Sequence, residues 1–504
     1  MRFRRLLGMA LAGLLAAGPA LADKKSDTLR WTSRQTISSA DPYFNEFREA
    51  ILIIGQMVWD TLIYRDPQTQ EYKPLLASSY TWKDNVTLDF DLRRDVKFHD
   101  GKPFDADDVV YTVNYVANPE NKINIQSNVN WMKSAEKLDQ FKVRLNLKAP
   151  FPAALEYLAG PVAILPNGFF DQAGPSHLNV KLNGTGPYRF TKWEPGKAGE
   201  FEVNKDYMAN SPKGRPGIGK VQFRIIPDVS VQMAELLSGG VDWIWQVPND
   251  QAQKLATMPN VKVVPSETMR VSFLMFDVKG RAGQHPFTDL RVRKAVSHGI
   301  DREGIVKNLI GAGSRVVHSA CFPSQFGCTE DVARYAFDPA KAKALLAEAG
   351  YPNGFEIEMY GYRERRWIEA IIGNLANIGI KAKLTYLQYP ALRDKVHGGE
   401  VKFTDMSWGS YSINDVSAFV NAWFTFLPDD LARDPEVKEW LEKASALVDG
   451  AERKTLYDKA LKRVAEQAYV LPLYTNPVIY AYTNEVDFTA WADENPRFYL
   501  AKWK

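Results

Sequence analysis

Three short segments of the chain carry aromatic and arginine side chains at points where predicted β-strands end. They are residues 245–246, 360–366 and 408–411. Open sheets with parallel strands bind ligands beyond the carboxyl ends of those strands. Aromatic rings offer a ligand a flat apolar wall, and a guanidinium group binds a carboxylate or a phosphate. The segments therefore predict non-covalent binding of a small molecule. The candidate ligand-binding residues are Trp245, Gln246, Tyr362, Arg365, Trp408, Ser410 and Tyr411, with Arg363 and Arg366 as further candidates for holding an anion.

Each of these residues also has a purely structural interpretation. Trp245 and Trp408 fit the core of a folded domain, and the arginines fit the solvated first turn of a helix. The chain has 13 Trp, 22 Tyr and 26 Phe, so a single aromatic residue is weak evidence for a site. Both interpretations stay open from the sequence.

Motifs for catalysis and for metal binding are missing. The sequence has no G-x-S-x-G, H-E-x-x-H or G-x-x-x-x-G-K-[ST] pattern. Ser134 and Lys137 match S-x-x-K, but S-D-N and K-T-G do not accompany them. The six histidines show neither H-x-H nor H-x-x-x-H spacing, which zinc sites on strands and helices use. We therefore predict no catalytic residues, no metal and no cofactor.

The N-terminus has the pattern of a secretory signal peptide. A basic segment to Arg5 precedes an apolar run over residues 6–17, and Ala20-Leu-Ala22 is a small-x-small cleavage site. Twelve apolar residues are too few to span a membrane, which takes about 20. We expect cleavage after Ala22 and a periplasmic location.

Charge and cysteine content agree with an exported protein. The 504 residues carry a formal net charge of +3, and the predicted signal peptide contains three arginines and no acidic residue. Its removal leaves a net charge of zero, which argues against nucleic acid as a partner. The only cysteines, Cys321 and Cys328, lie seven residues apart in a Pro- and Gly-containing stretch, and an oxidising compartment predicts a disulfide between them.

The first part of the chain predicts a compact α+β unit. Val86, Leu88, Phe90 and Leu92 alternate with polar residues, as in a half-buried strand of a hairpin. Asp105 then predicts the N-cap of a helix, which acidic residues in the first turn also favour. Residues 141–148 predict another strand.

The rest of the chain alternates helices and strands. Strands are predicted over residues 201–203, 221–226, 241–247, 271–278, 355–360, 380–387, 401–407 and 470–474, and helices over residues 229–237, 290–299, 339–349, 366–377 and 451–468. Residues 355–387 form a β-α-β unit, which requires parallel strands joined by a right-handed crossover. This order predicts open α/β sheets.

Several ordered motifs resemble one family along almost the whole length after residue 22. They are FDLRRDVKFHDG at 90–101, PFDADDVV at 103–110, GTGPY at 184–188, NKDY at 204–207, GGVD at 239–242, and the segment from Asp338 to Gly354. The chain is similar to the extracytoplasmic solute-binding proteins of the oligopeptide and dipeptide class, family 5, which deliver ligands to ABC importers.

The resemblance implies a two-lobed periplasmic binding protein of the α/β class, with mixed sheets and discontinuous lobes. We expect lobe I at residues 23–60, 180–268 and 475–504, an extra α+β subdomain of lobe I at 61–179, and lobe II at 269–474. The chain would cross between the lobes near residues 267–271 and 468–474. The implied partners are a small-molecule or peptide ligand and the permease subunits of an ABC importer, with the protein acting as a monomer and not as an enzyme. An exported hydrolase with an unrecognised site is the alternative.

One departure from the family bears on the ligand. Peptide-binding members resemble one another in an Asp two or three positions beyond the Trp of the Trp408 segment, where it pairs with the peptide ammonium group. Residues 406–414 contain no acidic residue here. A buried ammonium group without a counter-charge is costly. Either Asp415 takes that role, or the ligand is not an ordinary free-amine peptide.

Overall fold

The computed structural model describes residues 24–45, 48–172, 182–409 and 413–504, so the predicted signal peptide lies outside the described residues. The strands are β1 Thr28–Ser33, β2 Ile63–Arg65, β3 Tyr72–Pro74, β4 Ala77–Asp84, β5 Thr87–Leu92, β6 Met132–Asp139, β7 Lys142–Leu147, β8 Tyr188–Glu194, β9 Ala198–Val203, β10 Lys220–Ile225, β11 Trp243–Trp245, β12 Val261–Phe276, β13 Phe355–Gly361, β14 Ile380–Tyr386, β15 Phe403–Gly409, β16 Val470–Thr483, β17 Val486–Asp487 and β18 Lys502–Trp503. The α-helices are α1 Gly55–Val58, α2 Ala106–Ala117, α3 Ala154–Ala159, α4 Val229–Ser238, α5 Asn249–Leu255, α6 Leu290–Gly299, α7 Arg302–Ile305, α8 Pro339–Glu348, α9 Arg365–Asn377, α10 Tyr389–His397, α11 Ser417–Phe424, α12 Pro435–Ala446 and α13 Gly450–Glu466.

A ten-stranded mixed sheet connects the two halves of the molecule. Its strand order is β14-β13-β15-β12-β16-β11-β1-β10-β9-β8. The pairs β13–β14 and β1–β10 are parallel, whereas β12–β15, β12–β16 and β11–β16 are antiparallel. The two central strands therefore hold together two α/β blocks that each have their own parallel pairs.

The central strands are longer than the sequence indicates. Strands were expected at residues 271–278 and 470–474, but β12 begins at Val261 and β16 continues to Thr483. The prediction of these boundaries was wrong because Pro265 and the polar residues after it interrupt the alternation. The two strands satisfy each other's backbone groups along their length, so pairing overrides the local pattern.

An irregularity interrupts the pairing of β12 with β16. Glu267 pairs with Pro477 and Val271 with Thr475, so three residues of β12 lie opposite the single residue Asn476. The Thr268 hydroxyl donates to the carbonyl of Asn476 at 2.6 Å, and the Asn476 side chain donates to Ser272 Oγ at 2.9 Å. Side chains thus replace the ladder bonds that the bulge removes.

The predicted α+β unit is confirmed as a four-stranded antiparallel sheet with helix α2 against it. The strand order is β4-β5-β7-β6, and Leu88, Phe90 and Leu92 are buried on one face of β5. Asp105 caps α2 in a reciprocal capping box with Asp108. Together these contacts explain the acidic residues of this segment as helix-capping residues.

The GTGPY segment is a turn that requires glycine for close packing. A Cβ on Gly184 would lie 2.0 Å from the carbonyl oxygen of Val58, and the Gly186 amide donates to that oxygen at 2.9 Å. The glycines therefore allow the turn to cap the end of α1 by direct backbone contact.

The hydrophobic cores lie on the two sides of the crossing strands. One cluster joins the α+β unit to β1, β10 and β11, with Trp31, Phe90 and Trp243 among its members. Two other clusters lie within residues 269–474 and contain Phe273 and Phe276, respectively. The first cluster also includes Ile413, so the two halves are in contact there.

The predicted disulfide is present. Cys321 and Cys328 are bonded, with their Cα atoms 5.7 Å apart. The loop between them supports the segment after β15, because Phe326 N donates to the carbonyl of Asn414 at 2.9 Å and Val416 N donates to Phe326 O.

Removing this disulfide should have a modest effect on stability. A double Cys321→Ser, Cys328→Ser variant should lose roughly 2 kcal/mol of unfolding free energy, since so short a loop restricts the unfolded chain little. Denaturant titration measures the loss. Thiol labelling of the unreduced, denatured wild type should find no free thiol, and two labelled thiols would contradict the bond.

Candidate functional site

A cavity of about 580 Å³ lies beside the crossing of β12 and β16. Residues before β12, residues between β12 and β16, residues after β16 and both of these strands line it, so the cavity lies between the two halves that the strands connect. A second cavity, beside Tyr64 and Lys213, has only about 90 Å³. A third cavity, beside His99 and Arg189, has about 380 Å³, but only residues that precede β12 line it. Sites for solutes occupy about 300–1,000 Å³, so the cavity of about 580 Å³, which both halves line, is the candidate site.

Eight charged side chains line this cavity, and six of them are arginines. Both lobes and the crossing strand contribute arginines. The charged lining residues are Arg34, Arg48, Arg270, Arg363, Arg365, Arg366, Glu364 and Glu494.

Beside the crossing of β12 and β16, the carboxylate of Glu494 lies next to two arginines. Arg48 forms an ion pair with Glu494, and Arg270 Nε lies 3.8 Å from Glu494 Oε1. Arg48 also lies over the ring of Trp245, with its guanidinium carbon 5.5 Å from the ring centroid. The ring thus helps to hold the cation at the cavity wall.

Two lining residues adopt a left-handed backbone conformation that is unusual for non-glycine residues. Gln246 has φ of 56° and Glu494 has φ of 62°. Such conformations cost energy and concentrate at ligand-binding positions. Their location at this cavity supports its assignment as the functional site.

A glycine makes room for Arg270. Arg270 pairs with Gly409 across β12 and β15, and a Cβ at position 409 would lie 2.7 Å from the Arg270 guanidinium. Gly409 is the last residue of β15 and accommodates the arginine.

On the lobe II side, the turn before α9 presents Tyr362 and the arginines. Arg363 Nε donates to Ser407 Oγ at 2.7 Å, and the Tyr362 hydroxyl lies 3.0 Å from the same oxygen. Arg365 pairs with Glu369 at 2.8 Å and lies over the ring of Tyr386. Ser407 is neutral, so this hydrogen bond supplies no counter-charge to Arg363.

The structure brings three of the seven predicted ligand-binding residues to this cavity. Gln246, Tyr362 and Arg365 line it. Ser410 and Tyr411 lie outside the described residues.

The two tryptophans lie elsewhere. Trp245 is 1% exposed and stacks on Tyr480 behind Arg48. Trp408 is half-buried and packs edge-on against Trp423, next to Cys321 in a void of about 10 Å³. Neither tryptophan lines the larger cavity. For Trp245, the structure agrees with the interpretation of a core residue.

Asp415 does not face the cavity. One carboxylate oxygen accepts from Arg453 at 2.8 Å, and the other accepts from the amide of Ser417 at 3.0 Å. The side chain is buried in these contacts. The Asp415 carboxylate is therefore already paired with Arg453 and does not line the cavity.

Four charged lining residues were not predicted from the sequence: Arg34, Arg48, Arg270 and Glu494. Arg34 directly follows β1, so its position at the end of a strand is a signal that could have identified it. Arg270 lies within a strand, and Glu494 is distant in sequence from every other part of the site. No local pattern identifies those two.

Within the part of the chain that the structure describes, no three His, Cys, Asp or Glu side chains are grouped to hold a metal ion. In the same residues, no helix is long and apolar enough to cross a bilayer.

Comparison with known proteins agrees with this architecture. The glutathione-binding protein GsiB of Salmonella paratyphi A is 25% identical over 500 residues, covering 95% of this chain and 94% of that protein. The structure of HbpA2 from Haemophilus parasuis matches with a TM-score of 0.82 at 25% identity, covering 95% of this chain and all of the other. The binding protein AgaA from A. tumefaciens R10, in complex with agropinic acid, matches with a TM-score of 0.75 at 26% identity over 95% of this chain and 99% of its own.

The profile of the bacterial extracellular solute-binding proteins, family 5 (middle part), matches residues 71–427. This segment includes the crossing strand β12 and the arginine-rich turn before α9. Two-lobed binding proteins with this fold work outside the cytoplasm with the permeases of ABC importers. The chain belongs to the bacterial extracellular solute-binding proteins of family 5.

Proposed function

We propose that the protein captures a peptide-like solute in the cleft between its lobes and delivers it to an ABC importer. One observation carries the proposal: a cavity of about 580 Å³ lies between separately packed cores, beside the strands that connect them. Gln246, Tyr362 and Arg365 contact the solute in this proposal. Trp408, Ser410 and Tyr411 remain proposed contacts at the neighbouring end of β15.

The bulge opposite Asn476 serves as the hinge. Bending there disturbs few backbone ladder bonds, because the bulge has already removed them. Rotation of two rigid lobes about such a point is a common mode of ligand closure.

A contact between the lobes supports closure. The amide of Asn414 in lobe II donates to Glu156 Oε2 in the α+β unit at 2.7 Å. Arg65 Nη1 holds the same carboxylate oxygen at 2.7 Å. Glu156 therefore presents a fixed acceptor that the closing lobe reaches, and opening must break this bond.

Export and assembly complete the proposal. The signal peptide is cleaved after Ala22, and the mature protein works in the periplasm. It acts as a monomer, since both walls of the cleft come from one chain.

Release of the bound solute should enlarge the molecule. Protein isolated from the periplasm is compared with the same protein after denaturation, dialysis and refolding. We expect a larger radius of gyration by small-angle scattering for the refolded protein, and a return to the smaller value when the released material is added back.

Mass spectrometry of the released material identifies the solute. Material from a mock purification is the control. Equal radii before and after refolding, with no solute released, would contradict capture by closure, and chemical turnover of the added solute would favour a hydrolase.

A further inference from the structure

The cleft carries a positive charge that the chain as a whole does not have. Six arginines and two glutamates line the cavity, a formal charge of +4. The chain without residues 1–22 is neutral. The excess is therefore local to the site, where low-dielectric walls strengthen its effect on a charged ligand.

Beside the crossing of β12 and β16, Arg48 and Arg270 both lie next to the carboxylate of Glu494. This wall of the cavity therefore has two arginines and one glutamate among its lining residues. The two arginine side chains are only 26% and 16% exposed, so solvent screens them incompletely. Arg34 adds a further cation to this wall and forms no ion pair within 4 Å with a described carboxylate.

The lobe II wall adds the positive end of a helix to its arginines. Helix α9 begins at Arg365, and Glu364 at its N-cap makes no side-chain capping bond. The amide of Trp367 donates to the carbonyl of Glu364, so the amides of Arg365 and Arg366 are the ones that remain for an anion at the same wall. Arg366 in this turn forms no ion pair with a carboxylate among the described residues, and Arg363 donates to the neutral Ser407.

Closure brings these two cationic walls together. Like charges across a narrow cleft repel each other unless an anion lies between them. A single anionic group neutralises one wall and leaves the other. The acidic lining residues Glu364 and Glu494 are too few to do so, because Glu494 is already shared.

We propose that the solute carries at least two anionic groups, carboxylate or phosphate, of which one is held by the arginines of each lobe. This inference rests on the proposed function and names the chemical class of its solute. A zwitterionic dipeptide, with one carboxylate and one ammonium group, fits the cleft poorly.

The test compares anions of different valence at equal ionic strength. The probes are citrate, fructose 1,6-bisphosphate, acetate and the dipeptide Met-Leu, each added to refolded, solute-free protein. Titration calorimetry should show binding of citrate or the bisphosphate at least about tenfold tighter than that of acetate or Met-Leu. Comparing the two polyanions distinguishes carboxylate from phosphate. The affinity should also fall as salt is raised.

Two variants connect the effect to the cleft. The double variant Arg34→Gln, Arg366→Gln removes one cation from each wall, and the affinity for the polyanion should fall about tenfold or more. Arg215→Gln removes an exposed arginine outside the cavity and should leave it unchanged. Thermal unfolding without ligand checks that both variants are folded.

The outcomes separate the two proposals. Equal affinities for acetate and citrate, or an unchanged affinity in the double variant, would overturn the anion assignment. Capture of Met-Leu with a smaller radius of gyration would keep the proposed function and overturn this inference. Polyanion binding without a change in radius would keep the inference and contradict closure.

Discussion

Replacing Asp493 by Asn should lower the free energy of unfolding by about 3–5 kcal/mol, the largest loss we expect from a single polar substitution. The Asp493 carboxylate accepts from Arg497 at 2.9 Å and lies 3.4 Å from Arg65 Nη2. All three side chains are at most 7% exposed. The variant leaves two buried guanidinium groups with less counter-charge.

The charge state of Asp493 supports this expectation. Burial alone would raise its pKa, but Arg497 and Arg65 outweigh burial and lower it. A carboxylate with a lowered pKa stabilises the fold above its unfolded pKa of 3.8, and the contribution is lost as the pH falls through the folded value. The whole loss of unfolding free energy in Asp493→Asn should therefore be seen at neutral pH.

Denaturant titration at pH 7 measures the deficit. Asp487→Asn, at an exposed aspartate, is the matched control and should change the unfolding free energy by less than about 0.5 kcal/mol. A loss below about 1 kcal/mol for Asp493→Asn would show that the buried ion pairs contribute little.

In contrast to Asp493→Asn, the substitution Asp405→Asn should raise the free energy of unfolding above pH 7. Asp405 lies on β15, 2% exposed, and its Oδ2 has no hydrogen-bond partner in the described structure. Burial raises its pKa from 3.8 to about 7, although the nearby Arg363 lowers it. Keeping this group ionised in the fold above pH 7 costs on the order of 4 kcal/mol, which an uncharged Asn avoids.

The difference in unfolding free energy between Asp405→Asn and the wild type should depend on pH. The folded state binds the proton more tightly than the unfolded chain, so the wild type loses stability as the pH rises from about 4 to about 7. We expect the advantage of the variant to grow by roughly 2 kcal/mol or more between pH 5 and pH 8.

Unfolding titrations at both pH values measure this growth. Asp434→Asn is the control at a buried aspartate whose pKa is lowered because bonds from Tyr469 and Arg463 outweigh burial. That variant should be less stable than the wild type. A constant difference between Asp405→Asn and the wild type across pH would contradict the raised pKa of Asp405.

Local patterns determined much of this protein. Alternation at Leu88, Phe90 and Leu92 predicted the hairpin, because a half-buried strand must place apolar groups on one face. The Asp105 cap, the β-α-β unit around α9 and the disulfide depend on neighbouring residues and on the compartment. The turn before α9 also predicted Tyr362 and Arg365, since a strand end next to a helix start marks the edge of a sheet.

Only the tertiary structure decided the rest of the site. Arg270 contributes to the cleft because β12 crosses between the cores, and Glu494 reaches Arg48 from a segment more than 440 residues away along the chain. Trp245 follows the same strand-end rule as Gln246, but successive side chains of a strand point to opposite faces, and packing chose which one was buried. Contacts between residues that are distant in the sequence produce no local sequence pattern. The positive charge of the cleft could therefore be recognised only from the tertiary structure.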